Sequence, residues 1–180
     1  MGMGVCNISG YTPSSTDTYL FDNNIWMFIF CPIANVLKKK QREYSSFLQS
    51  ILSVKASIFV TSMILSEFAN AYLRLDYDLW KKDTRQYSAN YKKDYLKSER
   101  YRETSKEVIS SIKAILKLTE AMPDDFHMIN IDNILTLFEK IDFNDSYYIE
   151  LCKTKSLKIV TDDRDFGRDC VSEITIISSL

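Results

Sequence analysis

Hydrophobic positions along the chain fall into short continuous runs separated by longer stretches at helical spacing. Tyr19-Leu20-Phe21 is such a run; it stops at Asp22 and two asparagines, and apolar positions resume with helical period from Ile25. This predicts strand, turn and helix, with the helix interrupted at Pro32. Tyr44 to Leu52 sets Phe47, Leu48, Ile51 and Leu52 on one helical face. Ser57 to Val60 is β-prone, and Thr61-Ser62 caps a helix whose stripe runs through Met63, Ile64, Phe68, Ala71, Tyr72, Leu75 and Leu79. Lys106 to Thr119 reads as a helix with Val108, Ile109, Ile112, Ile115 and Leu116 inward, and Ile131 to Ile141 as another through Ile131, Ile134, Leu135, Phe138 and Ile141. Asp145 opens a helix that shares its face with Tyr148, Ile149 and Cys152. Leu157 to Val160 is a buried-type strand running into Thr161-Asp162-Asp163-Arg164-Asp165, and Val171 to Ile177 alternates as a last strand before Ser178 to Leu180 fray.

Strands alternating with helices predict an α/β fold around a mainly parallel sheet. The polar start, with Gly10, Pro13 and a Ser/Thr cluster, reads as a loose arm over residues 1–17, leaving one domain over 18–180. A chain of 180 residues that is 46% hydrophobic buries a full core, and only four glycines and three prolines exclude a small hairpin-rich β fold. The apolar stretch from Ile25 to Leu37 is too short to cross a bilayer, and the absence of a targeting segment places the protein in the cytoplasm, away from membranes. Cys6, Cys31, Cys152 and Cys170 form no CxxC pair, which argues against zinc and a disulfide framework. The lone His127, in a polar turn, excludes a multi-histidine metal site.

Net charge is only −1, but its distribution is uneven. Lys81 to Lys106 carries net +5, inside a long helical region over 77–121, whereas Glu120 to Glu150 carries net −7. One face for a polyanion and another for cations follow from that split. Tyr87, Tyr91 and Tyr95 recur at four-residue steps between the lysines, a spacing that suits packing on a neighbouring helix or stacking on bases. The run from Lys38 to Arg42 is a solvated face or a contact to a phosphate backbone.

Acidic residues recur where strands meet helices. Asp22 and the Asp163/Asp165 pair follow strands, Asp145 sits at a helix start, and Glu67 lies in the apolar stripe of its helix. Each alone has a bland explanation: Asp22 and Asp145 as helix caps, Glu67 as a stripe-edge residue reaching for water. Together they matter because a parallel sheet gathers functional groups at the carboxyl ends of its strands. Clustered carboxylates repel one another unless a cation joins them, and hard oxygen donors select Mg²⁺ or Mn²⁺. Such an ion generates a nucleophilic water and neutralises a phosphodiester, so the pattern points to metal-dependent hydrolysis.

The motifs also resemble a known family. FDNNIW resembles the opening DTN-type motif of PIN-domain nucleases, and SMILSEFANAYLR their helix with the second acid. NDSYYIELCKTKSLKIVTDDRDF resembles their third and fourth motifs, with a helix-start Asp, sixteen residues to Thr161 and a TxDxDF ending. The resemblance spans Tyr19 to Phe166 and implies a three-layer α/β PIN-like fold with a Mg²⁺- or Mn²⁺-dependent ribonuclease site for single-stranded RNA. Asp22, Glu67, Asp145 and Asp163 are then the catalytic and metal-binding acids, Asp165 a further metal ligand, and Thr161 and Asn24 supporting residues. Many bacterial members are toxins of VapC-type toxin–antitoxin pairs, which implies an antitoxin partner and a homo-oligomer beside the RNA substrate. Lys92, Lys93 and Lys97 are the candidate RNA-tracking cations. Two departures stand out: Asn23 replaces the usual hydroxyl residue, and the interval from Glu67 to Asp145 is long. The alternative is a non-catalytic RNA-binding or scaffold module that keeps the fold without turnover.

Overall fold

The structure is a computed structural model and describes residues 4–34, 38–167 and 174–179. Its centre is β2 (Thr18–Phe21), where Tyr19, Leu20 and Phe21 are completely buried. A strand buried on both faces needs a continuous apolar run, not an alternating one. Beside β2 lie β3 (Ser57–Val60) and β5 (Lys158–Val160); β4 (Glu120–Ala121) extends the sheet past β3, and β6 (Ile176–Ser178) and β1 (Val5–Asn7) extend it past β5. The order β1-β6-β5-β2-β3-β4 is parallel throughout. Helices α1 (Asn23–Phe30), α2 (Lys38–Ser53), α3 (Ser62–Thr84), α4 (Glu99–Leu118), α5 (Ile131–Phe138) and α6 (Phe143–Lys155) flank it. This is the α/β arrangement around a parallel sheet expected from the strand and helix pattern, and it agrees with the PIN-like fold that the motif resemblance implies.

Topology fixes where chemistry can sit. From β2 the chain moves to β3 and β4 on one side, then returns to β5 on the other side of β2. The strand order therefore reverses between β2 and β5, and a crevice opens at such a switch point beyond the carboxyl ends of the strands. In register, Phe21 pairs with Val160, so Asp22 and Thr161 emerge side by side at its mouth. The Asp22 N–H donating to the Val160 carbonyl at 3.0 Å extends the ladder by one bond.

Local sequence explains most helix ends. Thr61 accepts from the Ile64 N–H and caps α3, a bond of about 1 kcal/mol. Helix α3 ends because Arg85 turns left-handed at φ 57°. Phe21 and Trp26, with ring centroids 5.0 Å apart, lock α1 against β2, each burial contributing about 2 kcal/mol.

Several expectations need correction. The N-terminal arm is not loose over its described part: Val5–Asn7 pairs with β6, Ile8 is buried, and Asp17 forms an ion pair with Lys158. A three-residue edge strand held by a partner at the far end of the chain leaves no local signal. The tyrosine stripe is not helical, because residues 85–94 form turns and only Tyr95–Lys97 makes a short 3₁₀ turn. Tyr77, Trp80, Tyr91, Tyr95 and Tyr101 instead cluster where α3 meets α4. Ile109 and Leu116 face outward at 52% and 42% exposed, as do Ile131, Leu135 and Phe138 on α5. The last strand begins later than expected and includes Ser178, while residues 171–173 and Leu180 of the expected strand and tail lie outside the described residues. Cys6, Cys31 and Cys152 are free thiols, and Cys170 lies outside the described residues. Among the described residues no helix is long and apolar enough to cross a membrane.

Candidate active site

Asp22 serves two purposes at once. As the cap of α1 its Oδ1 accepts from the Asn23 N–H at 2.6 Å. Its Oδ2 accepts from the Thr161 hydroxyl at 2.7 Å and from Asn24 Nδ2 at 2.6 Å. Asn24 also reaches Thr161 Oγ1 at 3.2 Å and accepts from the Asp162 N–H at 3.2 Å, so it ties the ends of β2 and β5 together. The Asp163 N–H donates to Thr161 Oγ1 at 3.0 Å, and Asp163 Oδ1 accepts from the Asp165 N–H at 2.8 Å. Both expected supporting residues, Thr161 and Asn24, thus hold the first acid and the fourth-motif loop in one network.

Glu67 comes from the second turn of α3. Its two oxygens accept hydrogen bonds from Asn144 Nδ2 and the Tyr148 hydroxyl, both on α6. These partners carry no acidic signature, and sequence reading missed their role. In the sequence Tyr148 stands out only as a member of the helix face shared with Asp145, and Asn144 only as a residue of the third motif. The signal is their spacing: Asn144 and Tyr148 are four apart and share one helical face.

Asp145 stands at the third position of α6, whose cap is Asp142; the Asp145 N–H donates to Asp142 Oδ1 at 2.9 Å. The residue is 8% exposed, and its carboxyl accepts no hydrogen bond among the described residues. Burial, then the charges of Asp22, Asp142, Asp163 and Glu67, push it up to about 8. At Asp22, burial raises the carboxyl, hydrogen bonds from Thr161 and the Asn23 N–H lower it, and Glu67 and Asp163 raise it again, to a net of about 7. The four acids thus share one electrostatic neighbourhood, with Asp165 on the adjoining loop.

Among the described residues no three His, Cys, Asp or Glu side chains are gathered closely enough to hold a metal ion. The donor chemistry nevertheless fits a hard divalent cation: every candidate is a carboxylate, and Asp145 is a buried carboxyl with no hydrogen-bond donor.

The three candidate lysines follow α3 in a segment that turns back on it, where Arg74 lies 4.3 Å from the Tyr91 ring centroid and the Tyr77 and Tyr91 ring centroids are 5.2 Å apart. Positive charge reaches the crevice through Lys40, whose Nζ pairs with Asp162 Oδ1 at 2.6 Å. In the second half of α3 lies buried Asp76, which accepts from Tyr95 at 2.7 Å, Thr104 at 2.7 Å and Arg100 at 2.8 Å. That network ties the segment after α3 to α3 and α4, and the sequence signal for Asp76 is its place four residues after Tyr72 in the series Ile64, Phe68, Tyr72.

No protein-family model matches the chain, and no curated protein matches it. Solved structures do. The chain is similar to a structure of VapBC2 from Rickettsia felis bound to a DNA fragment from their promoter, with a TM-score of 0.55 and 15% identity. The match covers 88% of this chain and 96% of that one. It is also similar to FitAcB from Neisseria gonorrhoeae, with a TM-score of 0.54, 15% identity, and coverage of 89% and 97%. At this identity the likeness bears on the fold, which is PIN-like as the sequence motifs implied.

Proposed function

We propose that the protein is a divalent-metal-dependent endoribonuclease that hydrolyses phosphodiester bonds of single-stranded RNA, the toxin of a toxin–antitoxin pair. The observation that supports the reading best is Asp145, a buried residue whose carboxyl accepts no hydrogen bond among the described residues and lies within electrostatic reach of Asp22, Asp142, Asp163 and Glu67. Asp22, Glu67, Asp145 and Asp163 are the residues that would hold Mg²⁺ or Mn²⁺, with Asp165 beside them. When bound, the ion supplies a water of lowered pKa and neutralises charge on the phosphodiester.

The chain's own groups do the positioning. Thr161 and Asn24 fix the orientation of Asp22, and Tyr148 and Asn144 fix that of Glu67. Ligating carboxylates held by such outer partners lose less rotamer freedom on binding. Asp145, raised to about 8, holds a proton at neutral pH in the metal-free protein and releases it when positive charge enters. The likeness to VapBC2 supports the toxin reading and with it an antitoxin protein as partner.

The test is incubation of unstructured RNA with the purified protein and Mn²⁺. The expected result is cleavage that chelator and Asp22→Asn both abolish. Binding of RNA without cleavage in Mn²⁺ would favour the scaffold reading instead.

A further inference from the structure

An acidic crevice repels the substrate proposed for it, so something positive must hold the strand nearby. A recess at the carboxyl ends of β1 and β6, on the same end of the sheet as the crevice, has the right chemistry. It is an open cavity of about 510 Å³ whose walls include Ser9, Lys39, Arg42, Glu43, Ser46 and Ser179. Lys39, Arg42 and Ser46 come from successive turns of α2 and share a face. Lys39 is 82% exposed and lies 3.8 Å from Glu43. Arg42 donates Nε to the Lys38 carbonyl at 3.2 Å and pairs with no carboxylate among the described residues. Its guanidinium fork is therefore available to an anion.

The recess is coupled mechanically to the crevice. Lys40 and Tyr44, on the same helix, hold Asp162 Oδ1 at 2.6 Å and 2.7 Å. The Ser179 N–H, from the wall of the recess, donates to Tyr44 Oη at 3.0 Å, and Ser179 Oγ reaches Asp162 Oδ1 at 3.2 Å. Asp162 lies between Thr161 and Asp163, so one network ties helix α2, which carries Lys39 and Arg42, to the acidic loop. Three strand intervals separate β1 from β2, roughly 14 Å, which a short run of nucleotides spans.

We propose that this recess binds a non-scissile backbone phosphate of a single-stranded nucleic acid, with Arg42 and Lys39 as its cations and the Ser46 hydroxyl as a further donor. The site orients the strand across the carboxyl ends of β6 and β5 toward Asp22. Its link to hydrolysis rests on the nuclease reading above; phosphate binding itself does not.

The test is fluorescence anisotropy of a labelled single-stranded RNA of about 8 nucleotides, measured in chelator across a salt series so that no turnover intervenes. The double variant Lys39→Ala/Arg42→Ala is expected to bind about tenfold more weakly at low salt and to lose about one unit of the log–log salt slope. Glu43→Gln is expected to bind more tightly, because it removes the one acid in the wall. Lys55→Ala, before the amino end of β3, is the control for loss of any positive charge and is expected to change neither quantity. Unchanged affinity and slope in the double variant, or an equal loss in Lys55→Ala, would overturn the proposal. Tight binding of inorganic phosphate with no effect of the double variant on the RNA salt slope would also overturn it, assigning the recess to a small anion. Failure of the nuclease reading is visible separately, as wild-type protein that shows these binding differences yet cuts no RNA in Mn²⁺.

Discussion

The Thr161 hydroxyl donates to Asp22 Oδ2 at 2.7 Å, joining two residues 139 positions apart in the chain. The bond exists because Phe21 and Val160 are in register, so the residues that follow them leave the sheet together. Asp22 is 6% exposed, and a buried carboxyl stripped of this donor is left with Asn24 and the Asn23 N–H. Thr161→Val is expected to destabilise the protein by about 1–3 kcal/mol, read as a lowered urea midpoint at unchanged slope. Thr161→Ser is expected to recover most of the loss. Equal midpoints for wild type and the valine variant would mean that the hydroxyl does not position Asp22.

Glu67 gives a second prediction through its partners on α6. Tyr148→Phe keeps the ring in the core but removes the hydroxyl that fixes one Glu67 oxygen. Metal affinity or cleavage rate is expected to fall by about 10- to 100-fold, the usual cost of losing an outer-shell partner of a ligand. A variant with the fold intact and both quantities unchanged would remove Tyr148 from the account.

The raised carboxyl groups set the pH dependence of the metal-free protein. Asp22 at about 7 and Asp145 at about 8 stay protonated in the fold at pH values where the unfolded chain has ionised them, from about pH 4 upward. The unfolded state then binds fewer protons, so stability present at pH 4 is lost as pH rises toward 8. Denaturation in chelator at a series of pH values is expected to show that decline, and Asp145→Asn to make it shallower. A profile that rises from pH 4 to 8 would contradict the assignment.

Asp17 works in the opposite sense. Burial raises its carboxyl, but hydrogen bonds from Lys158, the Ser14 N–H, Tyr19 and Tyr11 outweigh that and hold it at about 2. Its contribution is present above about pH 4 and is lost as pH falls toward 2. The loss is on the order of 1 kcal/mol after solvent screening. Asp17→Asn is expected to remove that part of the acid limb and to leave the decline toward pH 8 untouched, measured in the same denaturation series.

Sequence reading found what is local. The strand, acid and helix at Tyr19 to Phe30 are written in consecutive residues, as are the α3 cap at Thr61 and the helix start near Asp145. What it missed depends on partners distant in the chain. Val5–Asn7 becomes a strand only because β6 offers an edge, and Tyr95 is buried because Asp76, nineteen residues earlier, accepts its hydroxyl proton. Periodicity also misled where it was strongest: four-residue steps at Tyr87, Tyr91 and Tyr95 suggested a helix, but a left-handed Arg85 ends α3 before the first of them. Ile109 and Leu116 kept helical spacing yet sit on the outer side of α4, since an apolar stripe wider than its neighbour leaves a margin uncovered.

The central claim, that Asp22, Glu67, Asp145 and Asp163 act as one cation site, is tested most directly by calorimetric titration of Mn²⁺ into the metal-free protein. Wild type is expected to bind Mn²⁺ with release of protons near neutral pH, because raised carboxyl groups ionise as the ion enters. Asp145→Asn is expected to lose most of the affinity and most of the proton release while remaining folded. Binding of equal affinity and equal proton release in wild type and Asp145→Asn, or no binding in wild type, would contradict the account.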